Sequence, residues 1–517
     1  MSKPRNGIQP FIEIMDCTLR DGEQTSGVSF LPHEKLMIAR MLLKDVNVDR
    51  IEVASARVSE GEKDAVKMIC RYAQQIGKGD SVEVLGFVDG FQSIDWIVDC
   101  GCHTVNLLTK GSLKHCTQQL GKTPKEHIAD IIDTVLYARS RGITVNLYLE
   151  DWSNGMKDSP DYVFGMVEAL KDCGIERFML PDTLGVLYTD EAFSFCKLMV
   201  DKYPELHFDF HGHNDYDLSV ANTAAAVKAG MKGIHVTVNG LGERTGNTPV
   251  ASIVGVLNDH LKVQNNIDES RITHVCQYVA SISGIRIPAN RPITGEAVFT
   301  QSAGVHADGD SKGSLYVNNL LPERFGRVRK YALGKTSGKA NIQKNLEELG
   351  ITLTPEQVKL VTKRVVELGD KKENVTTEDL PFIITDVLKG EFAATEDNIK
   401  VVNYSLQLTR SMKPVATIRI SIDGTEYEQV ASGAGQYDAF MKALWKVYDK
   451  LGKHHPILTD YSVSIPPGGK TDALVQTVIT WDNEGTEIKT RGLDADQTEA
   501  AIKATFKMLN LIEKLKN

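Results

Sequence analysis

The sequence predicts a (β/α)8 barrel followed by a helical linker region and an α+β C-terminal domain. Three observations carry that expectation. Short apolar runs alternate with amphipathic helical stretches from residue 11 to about 262. Polar and ionisable residues stand just after each run, as they do where parallel strands open into one catalytic mouth. From residue 398 onward the pattern becomes strand, strand, strand, helix, twice over.

The apolar runs are centred near Ile14, Ile51, Val84, Val105, Val145, Phe178, Phe208 and Val236. The helical stretches between them include 33–44, 61–76, 125–140, 160–172 and 190–202. Eight such units in about 250 residues fit a closed parallel barrel. A doubly wound open sheet competes, but it carries a glycine-rich first turn, and none follows the first run here. The residues at the run ends are Asp16, Arg20 and Asp21, then Ser55, Asp89, Thr109, Glu150, Asp182 with Thr183, His211 with His213, and Asn239. Thr248 and Pro249 read as N-cap and first residue of the last barrel helix. Residues 263–395 read as mostly helical, broken by a Gly- and Asp-rich loop at 304–313 (GVHADGDSKG). A basic run follows, with Arg324, Arg327, Arg329, Lys330, Lys335 and Lys339; it reads either as solvated surface or as a clamp for an anionic ligand tail. In the last segment the two helices open at Gln436–Tyr437–Asp438 and Gln497–Thr498–Glu499. A duplicated βββα unit without a His pair reads as a ligand-sensing or pairing domain. The expected domains are a catalytic barrel at 1–285, helical linker subdomains at 286–396 and a regulatory domain at 397–517.

A chain of 517 residues is too long for one core. Its net charge of −9 offers no global basic field for nucleic acid or anionic lipid, so an acidic substrate needs a local cationic site. The N-terminus has no apolar signal region and no apolar stretch approaches membrane-spanning length, which predicts a cytoplasmic protein without a membrane partner. The eight cysteines all precede residue 277 without an even framework, and they read as buried free thiols.

The chemistry starts from His211-x-His213 at a strand end. Alternation puts both imidazoles on one face, where they can share a metal. Asp21 at the first strand's mouth completes an Asp, His, His set with open positions for water and substrate, and Asn247 is a fourth or water-mediated ligand. Mixed N/O ligation without thiolate suits Zn2+ or Mn2+, with Mg2+ an alternative. Arg20 is placed for a carboxylate or a developing oxyanion, or else forms a rim salt bridge. Glu150, on the same strand face as Tyr148, reads as a base or water-orienting group, or as a buried structural carboxylate. Thr183 is a donor to a carboxylate. Leu85 and Leu108 read as core or as walls of a small pocket. His306, with Asp308, reads as a loop histidine that could deliver a base over the mouth.

Five stretches resemble one enzyme family: DCTLRDGEQTSGVSF at 16–30, LEDWSNG at 149–155, HGHNDYDLSVANT at 211–223, NGLGERTGNTP at 239–249 and GVHADGD at 304–310. They are similar to the 2-isopropylmalate, homocitrate and citramalate synthases, metal-dependent Claisen condensation enzymes of the DRE-TIM type. GFVDG at 86–90, NLLTKGS at 106–112 and PPGGKTDALV at 466–475 resemble the citramalate branch. That resemblance implies condensation of acetyl-CoA with pyruvate; the rival within the family uses 2-oxoisovalerate. It implies Asp21, His211 and His213 as metal ligands with Asn247 nearby, and Arg20 and Thr183 on the oxo acid. Leu85, Leu108 and Tyr148 would shape its pocket. Glu150 and His306 would transfer protons, His306 coming from the partner subunit of a homodimer. Asp308, Leu315 and Tyr316 would touch acetyl-CoA, with Tyr316 also counted among the catalytic groups. The C-terminal domain would bind an amino-acid effector, isoleucine for this branch and leucine for the rival, near Tyr437, Asp438, Leu458, Tyr461, Thr471 and Gln497. Two positions depart from the pattern: Cys17 stands where the family has Thr, and Ser314 where the branch has Asn. A lyase running in reverse and a catalytically dead amino-acid sensor are the more distant readings. The complete set Arg20, Asp21, Glu150, His211, His213 and His306 argues against the sensor.

Overall fold

In the computed structural model the chain forms two compact units, Met1–Thr300 with Tyr316–Lys330, and Gln301–Leu315 with Tyr331–Asn517. The structure describes residues 9–313, 315–370, 375, 377–388, 398–464 and 475–516.

In the first unit the strands are β1 (Glu13–Asp16), β2 (Arg50–Ser55), β3 (Val82–Phe87), β4 (Thr104–Lys110), β5 (Thr144–Glu150), β6 (Arg177–Asp182), β7 (Phe208–Gly212) and β8 (Gly233–Val236). All pair in parallel, and β1 returns to β8 to close the barrel. Each strand contains one of the eight predicted apolar runs. Parallel strands are covered by helices outside and packed side chains inside, so they read as apolar on both faces. The helix Pro124–Ser140 opens on a capping box of Thr123 and Glu126 with Pro at its first turn, which is why its start was legible. The last barrel helix starts one residue later than expected. It runs Val250–Val256 with Pro249 at the cap, because the Thr248 N–H and hydroxyl are drawn to the Gly212 carbonyl and the Thr223 hydroxyl.

The polar ring at the strand ends is divided in use. Asp89 accepts from the Ser93 N–H, Thr109 donates to the Tyr148 carbonyl, Asp182 accepts from Val186 and Leu187, and Asn239 donates to the Cys276 carbonyl. All four are engaged with backbone groups near their own strand ends.

In the second unit, residues 304–311 are not a loop but a helix, Gly304–Ser311. Tertiary packing overrides the Gly- and Asp-rich composition: Gly304 lies so close to Gly338 that a Cβ would sit 2.6 Å from its nitrogen. The basic run is used within the chain. Within the first unit Arg324 pairs with Asp259 and Glu269 and Arg327 donates to the carbonyls of Ile293 and Gly295, and within the second Lys335 pairs with Asp370. The duplicated unit is present: Ile399–Gln407, Val415–Ile422 and Thr425–Ser432 precede the helix Gln436–Lys450, and Ile457–Ser464, Val475–Asn483 and Thr486–Asp494 precede the helix Gln497–Lys516. Both helices pack into one core around Phe440, Leu444, Trp481 and Leu509. All eight cysteines are free thiols. Among the described residues no helix is long and apolar enough to cross a membrane.

Candidate active site

The turn after β1 carries Arg20 and Asp21, whose N–H groups both donate to the Cys17 carbonyl. A fully buried lysine anchors it: Lys35 Nζ donates to the Leu19 carbonyl at 3.0 Å and pairs with Glu23 and Glu62 at 2.6 Å. His211 is the penultimate residue of β7 and His213 follows two residues later, so both imidazoles lie on the same side. Asp21 Oδ2 is 3.2 Å from His211 Nε2 and 3.8 Å from His213 Nε2, and the two Nε2 atoms are 3.4 Å apart. Asn247 bridges His213 through the backbone, and its Oδ1 is buried without a hydrogen bond, as is Asp21 Oδ1. Converging nitrogen and oxygen donors with orphaned oxygens fit a divalent cation. Burial opposes the charge of Asp21, but the Arg20 guanidinium and the two imidazoles hold its carboxyl well below the usual range. Burial, with His211 adding to it, pushes His213 down to about 3.

Arg20 is locked between two carboxylates, Nε on Glu52 and Nη1 on Asp21 at 3.1 Å, and lies 5.9 Å from the Tyr148 ring centroid. Glu52 takes a second bond from Asn106 Nδ2 at 2.8 Å. The three expected wall residues come together: Leu85 and Tyr148 pack with Met15, Cys17 and Met179 in a small apolar cluster, with Leu108 against it. Thr183 Oγ1 accepts the Asp151 N–H at 2.9 Å. Glu150 pairs with Lys110. Tyr316 is exposed in the first unit, whereas His306, Asp308 and Leu315 belong to the second, where Asp308 pairs with Lys312 at 2.7 Å. The structure of the barrel unit therefore does not itself gather those three.

In the second unit, Tyr437, Asp438, Leu458, Tyr461 and Gln497 line one cavity of about 500 Å³. The two duplicated helices begin at its wall. Tyr437 bonds Thr505 at 2.7 Å, and its ring centroid is 5.6 Å from that of Tyr461. Thr471 lies outside the described residues.

Sequence reasoning missed a buried lattice next to His211. Arg50 pairs with Asp209, with Glu83 at 3.1 Å and with Glu13 at 3.3 Å. Asp209 meets His235 Nε2 at 3.2 Å, and His235 Nδ1 lies 3.0 Å from the Tyr148 hydroxyl and 3.3 Å from His211 Nδ1. Gly233 makes room for this, since a Cβ there would sit 2.0 Å from Asp209 Oδ1. Burial opposes ionisation of Asp209, yet Arg50 keeps its carboxyl well below the usual range. One signal was available: Asp209 lies two residues before His211, so it shares the His211 face of β7.

Comparison with known proteins agrees with the architecture. The family described as HMGL-like matches residues 11–279, the homocitrate synthase post-HMGL domain-like family matches 293–373, and the LeuA allosteric (dimerisation) domain matches 374–513. The 2-isopropylmalate synthase of Methanocaldococcus jannaschii is 32% identical, covering 97% of this chain and 94% of its own. The (R)-citramalate synthase of the same organism is 31% identical, covering 97% of this chain and 99% of its own. A solved hydroxymethylglutaryl-CoA lyase from Pseudomonas aeruginosa aligns with a TM-score of 0.47 at 18% identity, over 54% of this chain and 94% of that one. The chain belongs to the DRE-TIM family of 2-isopropylmalate, homocitrate and citramalate synthases.

Proposed function

We propose that this enzyme condenses acetyl-CoA with pyruvate and hydrolyses the resulting thioester. The products are (R)-citramalate and CoA, and the reaction is the first step of a threonine-independent route to isoleucine. The carrying observation is the convergence of Asp21, His211 and His213, whose ligand atoms lie within 4.8 Å of one another, beside the compact apolar cluster of Leu85 and Tyr148. Zn2+ or Mn2+ suits that set, with Mg2+ an alternative and Asn247 as an added ligand. When bound, the cation supplies Lewis acidity to the keto group of the oxo acid.

The chain's own groups do the rest. Arg20, held rigid by Glu52 and Asp21, donates to the oxygen on which negative charge develops. The Thr183 hydroxyl already accepts from Asp151, which leaves its own proton for the substrate carboxylate. Leu85, Leu108 and Tyr148 enclose the methyl group. Glu150 and His306 share two tasks, taking a proton from the acetyl methyl and activating the water that cleaves the thioester. Asp308, Leu315 and Tyr316 contact acetyl-CoA, and Tyr316 also acts in catalysis. His306 reaches the mouth from the partner subunit of a homodimer, a reading supported by the dimerisation-domain match at 374–513. The domains are then a barrel at 1–285, linker subdomains at 286–396 and a regulatory domain at 397–517 whose cavity takes isoleucine. A cytoplasmic setting fits this chemistry.

The second reading, 2-isopropylmalate synthase, is favoured by the relative of that name at 32% identity. Thiol release from acetyl-CoA, measured with pyruvate and 2-oxoisovalerate side by side, tests both. Faster release with pyruvate supports the first reading. No release with either acid removes both.

A further inference from the structure

We propose that His235 is a positioning residue. It holds His211 in the tautomer that presents a bare Nε2 to the metal, and in doing so it releases the Tyr148 hydroxyl proton toward the 2-oxo acid. This inference rests on the metal-dependent reading above.

His235 is buried on β8 with both ring nitrogens engaged. Its Nε2 lies 3.2 Å from Asp209 Oδ2. A carboxylate whose charge is already balanced by Arg50 only accepts, so the His235 proton sits on Nε2 and Nδ1 offers a single lone pair. Two groups compete for that lone pair, the Tyr148 hydroxyl at 3.0 Å and His211 Nδ1 at 3.3 Å. A cation among Asp21, His211 and His213 needs His211 Nε2 unprotonated. The proton must then be on His211 Nδ1, and His235 Nδ1 is its acceptor. With that lone pair taken, Tyr148 turns its hydroxyl proton away, leaving the reacting acid as its acceptor. Without a cation, His211 carries its proton on Nε2 toward Asp21, 3.2 Å away, and Tyr148 takes the His235 lone pair. Metal loading and the direction of the Tyr148 proton are thereby coupled through one nitrogen. His213 has no such support, since its Nδ1 is buried without a hydrogen bond.

The test uses full-length protein. Zn2+ affinity is measured by chelator competition for wild type, His235→Leu, His235→Asn and Tyr148→Phe, each checked by thermal melting. His235→Leu is expected to bind Zn2+ about 10–100-fold more weakly. His235→Asn, which keeps an acceptor where Nδ1 stood, recovers most of the loss. Tyr148→Phe, which removes the competitor for the His235 lone pair, binds Zn2+ more tightly than wild type but loses about tenfold in kcat/KM for pyruvate, the worth of one hydrogen bond. In wild type labelled with 15N-histidine, the His211 signal, assigned by its loss in His211→Ala, shifts from the Nε2–H to the Nδ1–H pattern on adding Zn2+. That spectrum decides the matter even if His235→Leu does not fold. An unchanged tautomer, or folded His235→Leu and His235→Asn that both bind Zn2+ like wild type, overturns the role of His235. A wild type that takes up no Zn2+, Mn2+ or Mg2+ overturns the metal reading itself.

Discussion

Replacing Leu108 by alanine should open the acid pocket to branched substrates. Leu108 sits at the edge of the cluster formed by Leu85, Tyr148, Met15, Cys17 and Met179. The substitution removes three carbons from the wall, while 2-oxoisovalerate carries two more carbons than pyruvate at the position the wall faces. A methylene in such a pocket is worth about 1–3 kcal/mol, or roughly 10–200-fold in kcat/KM. The ratio of kcat/KM for 2-oxoisovalerate over pyruvate should therefore rise by at least about tenfold in Leu108→Ala. Leu108 is only partly buried, so its stability cost lies near the lower end of the roughly 2–5 kcal/mol seen for buried Leu→Ala. Leu85, at 5% exposure, costs more for a similar widening. The assay is thiol release with each acid in turn, beside a melting curve for each variant. An unchanged ratio in both folded variants refutes the assignment of these leucines to the pocket wall. A wild-type preference for 2-oxoisovalerate moves the enzyme to the 2-isopropylmalate synthases.

Chelation should abolish activity and divalent metal restore it, and His211→Ala should lose bound metal by elemental analysis; full activity in stripped, metal-free protein refutes the metal mechanism. Burial lowers His127 to about 4, and its Nε2 accepts the Lys110 N–H at 3.1 Å, so the folded state favours the neutral ring. The unfolded chain then binds the extra proton below about pH 6.5, and stability falls between there and about pH 4, by on the order of 2 kcal/mol. His127→Gln should flatten that stretch of the urea-unfolding pH profile, and an unchanged slope counts against it. Isoleucine should inhibit more strongly than leucine, with a coupling of about 5–150-fold in apparent affinity that Tyr461→Ala and Asp438→Ala remove. Equal inhibition of wild type and both variants places the effector elsewhere.

Much of the barrel was legible because each strand is buried on both faces and ends in polar residues. The convergence of Asp21, His211 and His213 was legible because His211 and His213 keep the strand period and Asp21 follows a strand end. The lattice of Arg50, Glu83, Asp209 and His235 was not. One ionisable residue inside an apolar run gives no sign of its partner on another strand, and only the closed barrel brings the four together. The helix Gly304–Ser311 was illegible for the opposite reason. Its local composition favours a loop, and packing against Gly338 decides otherwise. Asp89, Thr109, Asp182 and Asn239 show the limit of reading position alone. A polar group at a strand end serves the backbone as readily as the mouth.

The way these side chains converge also imposes an order on biosynthesis. Asp21 follows the first strand of the barrel, while His211, His213 and Asn247 arrive with the last two. A ribosome-bound chain shorter than residue 247 lacks the full set, and β1 has no β8 to close against until residue 236 has emerged. A cation held by this set would therefore not template the early folding of the barrel; it would stabilise only the closed ring.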